Sequence, residues 1–241
     1  MICIPMAGSS ARFFSEGYLV PKYELELNNR PLFAHVLNSF RRYFHSETFV
    51  FITNKSYNAE IFVRNEVKKL GILNYRIVEL NAPTHGQAET VALGLTNIEH
   101  LKGETLLIFN IDTIRTNFEF PPHFPHFPWI ETFSEVGDHW SFVKNIPGTN
   151  RVERVTEKER ISNLCCTGAY FFPTIQEFLE LFAEYVTENN LQELYVAPIY
   201  NIYLERGREV RFNTIANSEI HLAGTPKEFQ KLIDEGFSGE I

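Results

Sequence analysis

From Met1 to Asn110, short apolar runs of strand length alternate with longer segments of helical periodicity. Residues 1–5, 48–53 (TFVFIT), 75–80 (YRIVEL) and 105–110 (TLLIFN) are predicted strands, and residues 31–44, 56–70 and 87–98 the helices between them. Pro31 stands where a first-turn proline belongs, and Gly71 where a helix ends in the left-handed conformation. Strands joined by helices in this way must lie mainly parallel, with helices covering both faces. The expectation is a Rossmann-like, three-layer α/β/α fold with a mainly parallel mixed sheet.

After Asp112 the pattern changes. Residues 117–128 (NFEFPPHFPHFP) hold four prolines and read as an ordered loop leading into a small inserted β-sheet. Strands are predicted at 140–144, 151–156, 164–172 and 210–215, and helices at 174–187 and 195–205. A last helix starts near Pro226 with Thr225 as its N-cap. Neither repeats nor a linker interrupt the chain, so residues 1–241 are expected to form one domain.

The net charge is −8, from 22 basic and 30 acidic side chains. An acidic chain is a poor partner for nucleic acid or an anionic membrane, whereas a phosphorylated small molecule needs only a few local cations. Cys3, Cys165 and Cys166 offer neither a disulfide framework nor zinc spacing. The opening Met1-Ile2-Cys3-Ile4-Pro5 lacks a basic leader, and no apolar run has membrane-spanning length, so a reduced cytoplasm is expected. His123 and His126 sit three apart in the Phe/Pro loop without a third ligand nearby. They read as surface or contact residues, and the loop and extra sheet could support a homodimer.

The predicted first strand runs into Ala7-Gly8-Ser9-Ser10-Ala11-Arg12, and Pro21-Lys22 follow ten residues later. Ligands of parallel sheets sit at the carboxyl ends of strands, where small residues let backbone N–H groups approach phosphate oxygens. Arg12 and Lys22 add two full charges, as a triphosphate requires. Neither the P-loop pattern nor G-x-G-x-x-G is present, since Gly8 is the segment's only glycine. The plain alternative is a βα turn with surface cations.

This segment resembles the signature of the sugar-phosphate nucleotidyltransferases: a small-residue loop, an arginine, and a Pro-Lys pair about ten residues on. The resemblance implies the nucleotide-diphospho-sugar transferase type of fold. It also implies nucleotide contacts from Ala7, Gly8, Ser9 and Ser10, and phosphate contacts from Arg12 and Lys22. Serines 9 and 10 replace the family's usual glycines. His85-Gly86-Gln87-Ala88-Glu89-Thr90 resembles the second nucleotide segment, with Gly86 allowing close approach and Asn81, Gln87 or Thr90 supplying hydrogen bonds. A helix N-terminus capped by Thr84 is the structural alternative there.

Asn110-Ile111-Asp112 ends the fourth strand where the family holds its metal, so Asp112 is the expected Mg²⁺ ligand, against an aspartate that only caps a turn with Thr113. The family's second aspartate, two residues before a late Gly-Thr, is here Leu222, ahead of Gly224-Thr225. Glu219 is the substitute candidate. Glu157-Lys158 and Thr167-Gly168-Ala169-Tyr170 resemble the acceptor segments, with Lys158 at the acceptor phosphate, Gly168 leaving it room, and Glu193-Leu194-Tyr195 a fainter echo. Their structural alternatives are a solvated charge pair and a core strand.

The implied reaction is attack of an acceptor phosphate on the α-phosphorus of a nucleoside triphosphate, releasing pyrophosphate. The stretches AGSSARFF, GYLVPKYELELNN, HGQAET and GDHWSFV resemble small capsule-pathway members that join CTP to L-glutamine phosphate, giving CDP-L-glutamine. A sugar 1-phosphate is the rival acceptor. A GT-A-type glycosyltransferase is a further reading, against which the absence of its D-x-D counts, and a nucleotide-sensing domain without turnover is a third.

Overall fold

The computed structural model describes residues 1–188 and 193–237. The chain divides into two compact units. One comprises Ile2–Pro83, Phe109–Glu119 and Ser218–Ile241, and the other Met1, Thr84–Ile108 and Phe120–Asn217.

In the first unit, Ile2–Pro5 pairs in parallel with Thr48–Asn54, and Thr48–Asn54 in parallel with Asn74–Leu80. Ile2, Cys3, Ile4, Phe49, Val50, Phe51 and Ile52 are completely buried, so these strands read as unbroken apolar runs. The helices Leu32–Asn38 and Ala59–Leu70 make the crossovers that parallel pairing demands. The second of them stops at Gly71 with φ +77°, the left-handed cap expected there. Ile220–Leu222 pairs antiparallel with Thr113–Arg115, and the helix Pro226–Asp234 opens with a full capping box between Thr225 and Glu228.

The second unit is largely antiparallel. Leu164–Phe172 pairs with Trp129–Ser134 and Ser141–Asn145, the latter pairs with Val152–Glu157, and Arg211–Thr214 adds in parallel to Trp129–Ser134. Leu106–Phe109 neighbours Leu164–Phe172. The whole is the expected α/β class: a mixed, mainly parallel sheet with flanking helices and additional small antiparallel sheets.

Several elements differ from the sequence reading: the strands Thr113–Arg115 and Ile220–Leu222 were not predicted, and the helix expected over 31–44 ends at Asn38, with a separate 3₁₀ turn at Arg41–Tyr43. Trp129–Ser134 is a strand that the pattern hides, because Glu131 faces inward at 1% exposure, where its carboxylate accepts a 3.1 Å hydrogen bond from Thr167 Oγ1. The helix predicted over 195–205 is instead a 3₁₀ turn, Ala197–Ile199, followed by the helix Tyr200–Glu205. Pro198 has no N–H to give to the carbonyl of Leu194, and that carbonyl instead accepts from Ala88 N at 3.0 Å.

Candidate active site

The N-terminal loop is held by aromatic anchors that leave its polar residues outward. Phe13 and Tyr23 are 1% exposed, and they flank the two cations Arg12 and Lys22. Phe13 packs edge-on to Tyr18 and Phe229, with centroids 5.3 and 6.3 Å away. Met6 N bonds to Ile52 O at 2.8 Å and prolongs the strand, so Ala7 is still buried while Gly8 and Ser9 are exposed. A Cβ on Gly8 would meet nothing within 4 Å. The space above it is open to a ligand.

Ser10 adopts the left-handed conformation, φ 50°, and starts the short helix Ala11–Ser15 that carries the exposed Arg12. Its hydroxyl accepts the backbone N–H of Lys22 at 3.2 Å, joining the two halves of the motif, and Tyr57 OH fixes the carbonyl of Ser9 at 2.9 Å. Lys22 then projects to Asp112, whose Oδ2 lies 2.6 Å from Nζ. The Ala7–Arg12 loop, Lys22 and Asp112 therefore form one connected array in the first unit.

Asp112 is backed by the late Gly-Thr turn. Ala223 N donates to Asp112 O at 2.8 Å, and Leu222 pairs with Thr113. A Cβ on Gly224 would sit 3.1 Å from Asp112 Oδ2 and 3.4 Å from Glu228 Oε2, so the glycine leaves a space bordered by two carboxylates. Glu228 was not singled out from the sequence, although its Thr-x-x-Glu spacing from Thr225 was the available signal. Glu219 lies farther along the same pairing, where its carbonyl accepts from Thr116 N at 2.9 Å and its carboxylate is 3.0 Å from Arg115. Asn110 is half-buried and Asn81 exposed. Among the described residues no group of three or more His, Cys, Asp or Glu side chains could enclose a metal. A magnesium ion needs only one or two carboxylates beside substrate phosphates. A hard-oxygen donor at a strand's carboxyl end, facing the space that Gly224 leaves, meets that need.

The second unit carries the remaining candidates. Gly86 precedes the helix Gln87–Thr96 with φ +145°, and a Cβ there would come within 2.4 Å of Leu194 O. Close approach does explain this glycine, but the approaching group is the chain's own backbone. Thr84 does not cap the helix. Its hydroxyl bonds to Thr90 Oγ1 at 2.6 Å, and the buried Thr90 hydroxyl donates to Gly86 O at 3.0 Å. Gln87 is half-buried beside them.

Glu157 ends its strand opposite Ser141 and accepts a hydrogen bond from the Ser141 hydroxyl; burial raises its carboxyl pKa. Lys158 turns the chain at φ 55°, donates its N–H to Trp140 O at 2.9 Å, and sends Nζ to the Tyr195 hydroxyl and toward Glu193 Oε2, 3.5 Å away. Hydrogen bonding to Tyr195 raises the Lys158 pKa. Gly168, φ +97°, lies in the bulge between Cys166 and Tyr170, whose side chains are buried as the core reading of this strand required. His123 is half-buried against Trp129, and burial lowers its pKa.

The first unit thus brings together the small-residue loop that follows the strand Ile2–Pro5, Lys22 and Asp112. No family model matches the chain, and no curated protein does. Among solved structures, the nucleoside-diphosphate-sugar pyrophosphorylase from Vibrio cholerae RC9 is 42% identical over 97% of this chain and 100% of its own, with a TM-score of 0.92. The chain belongs to the nucleoside-diphosphate-sugar pyrophosphorylase family, and with it to the nucleotidyltransferases. The inositol-1-phosphate CTP transferase from T. maritima, 14% identical with a TM-score of 0.74 over 99% of this chain and 96% of its own, shares the fold. So does the UDP-glucose pyrophosphorylase from Acinetobacter baumannii, 14% identical with a TM-score of 0.72 over 96% and 91%. Among the described residues no helix is long and apolar enough to cross a membrane.

Proposed function

We propose that the protein joins CTP to L-glutamine phosphate, releasing pyrophosphate and forming CDP-L-glutamine, as a CTP:phosphoglutamine cytidylyltransferase working in the cytoplasm for capsular phosphoramidate synthesis. Family membership supports the reaction class, and the four motif stretches that resemble capsule-pathway members support the substrates. The single observation that carries the mechanism is the array linking the Ser10 turn to Lys22 and Lys22 to Asp112 at 2.6 Å. The two compact units act in this reading as one domain.

An oxygen of the acceptor phosphate forms a bond to the α-phosphorus, and the bond from that phosphorus to the β-phosphate oxygen breaks. The acceptor phosphate carries at least one ionised oxygen near neutral pH, so the attacking oxygen has no proton to lose. The obstacle is anion against anion: two unit charges 4 Å apart repel by about 4 kcal/mol at an effective dielectric of 20. Arg12 and Lys22 offset this on the triphosphate and Lys158 on the acceptor phosphate. Ala7, Gly8, Ser9, Ser10 and Asn110 align the nucleotide, with Asn81, Gly86, Gln87 and Thr90 around its base and Glu157 and Gly168 beside the acceptor. Asp112 would hold Mg²⁺, which supplies charge neutralisation to the leaving pyrophosphate. Glu219 would join it only by giving up Arg115.

The second reading keeps the reaction and changes the acceptor to a sugar 1-phosphate, which the name of the 42% identical Vibrio relative favours. Pyrophosphate release measured for each of CTP, UTP, ATP and GTP against L-glutamine phosphate and glucose 1-phosphate separates the two. Release with no combination would remove the proposal in favour of a transferase that makes no pyrophosphate or a nucleotide sensor. A homodimer, the proposed quaternary state, is read directly from the sedimentation coefficient.

A further inference from the structure

Lys158 is an exposed lysine on a four-carbon stem, and left alone such an ammonium samples many positions. Here it is held from three sides. Its backbone is locked in the left-handed region and bonded to Trp140 O, Nζ donates to the Tyr195 hydroxyl, and the same ammonium lies 4.6 Å from the centre of the Tyr195 ring. The Tyr195 hydroxyl in turn donates to Glu193 Oε2. Tyr195 thus meets Lys158 with both its hydroxyl and its ring, and Glu193 orients that hydroxyl.

What fixes Tyr195 is the residue before it. Leu194 is buried, and its backbone is spliced into the loop ahead of the helix Gln87–Thr96: Leu194 N donates to His85 O at 2.6 Å, and Leu194 O accepts from Ala88 N at 3.0 Å. Only a glycine at position 86 permits this, since any Cβ would meet Leu194 O at 2.4 Å. The segment is therefore irregular by necessity, and its neighbour is presented to Lys158 at a set distance.

We propose that Tyr195 is a positioning residue that holds the Lys158 ammonium for a phosphate group of the acceptor, with the Gly86–Leu194 splice setting its place. This rests on the reading of Lys158 as an acceptor-phosphate ligand. The experiment is pulse labelling of lysines with acetic anhydride across pH, read by mass spectrometry, with and without inorganic phosphate. Wild type is compared with Tyr195→Phe, which keeps the ring and removes the hydroxyl, and Lys144 serves as the internal reference.

Without phosphate, Lys158 of Tyr195→Phe is expected to label at lower pH and several-fold faster than in wild type, while Lys144 is unchanged. Phosphate should protect Lys158 in wild type and several-fold less well in the variant. Identical labelling profiles in the two proteins, or protection by phosphate that is present and equal in both, would overturn the proposal. Protection in neither protein, with the labelling shift present, would instead count against Lys158 as a phosphate ligand, and so against that part of the functional reading. A thermal midpoint unchanged by Tyr195→Phe excludes a folding defect as the source of any shift.

Discussion

Lys22 and Asp112, ninety positions apart, meet through Nζ and Oδ2 at 2.6 Å, each with about one fifth of its side chain exposed (21% and 19%). The pair places a cation on the carboxylate proposed to hold the metal. In the proposed reaction, arrival of a metal-bound triphosphate would change the charge environment of both partners together and draw the ammonium to phosphate oxygens.

Lys22→Ala should therefore lower turnover by about 10²- to 10³-fold, the scale for loss of one oriented charge donor, and leave the thermal midpoint within a few degrees of wild type. Pyrophosphate release and thermal unfolding measure the two sides. Near-normal turnover would remove Lys22 from the mechanism.

Gly224→Ala tests the space beside Asp112. The new Cβ would stand 3.1 Å from Oδ2, tighter than ordinary contact, so the carboxylate must turn. A several-fold higher Mg²⁺ requirement is expected, read from the magnesium dependence of the rate. An unaltered magnesium curve would show that this space is not used.

Two glycines should respond to alanine in opposite ways. Gly8 has open space and no strained φ, so Gly8→Ala should fold normally and weaken nucleotide binding. Gly86 combines φ +145° with a 2.4 Å backbone clash, so Gly86→Ala should cost about 1–3 kcal/mol of stability. Calorimetric titration with CTP and chemical denaturation, run on both variants, would expose a reversal of this order.

His35 sets a pH limit. Its Nε2 bonds to Leu27 O at 2.7 Å, its buried Nδ1 has no partner, and burial lowers its pKa from 6.5. The unfolded chain then binds more protons than the folded one between the lowered value and 6.5, so stability rises with pH through that window. Stability should be fully present above pH 6.5 and decline as the pH falls below it. His35→Gln should flatten that decline, as followed by denaturant midpoints from pH 5 to 7.5; a decline of the same slope in the variant would assign it to other groups.

Much of this protein was legible from residue order alone. The alternation of apolar runs and helical segments dictated the parallel strands Ile2–Pro5, Thr48–Asn54 and Asn74–Leu80, and the first two, as continuous apolar runs, are covered on both faces. Local chemistry likewise marked the Gly71 cap and the Thr225 start of the last helix. The residues of the first loop, Lys22 and Asp112 were nameable because strand ends and small-residue loops carry local signals. Contacts between distant positions were not. No spacing rule pairs Lys22 with Asp112, places Leu194 on Gly86, or turns Glu131 inward to Thr167. Local propensity acts over a few residues, whereas these relationships arise only when strands from remote parts of the chain are brought side by side. The tertiary structure alone decided them.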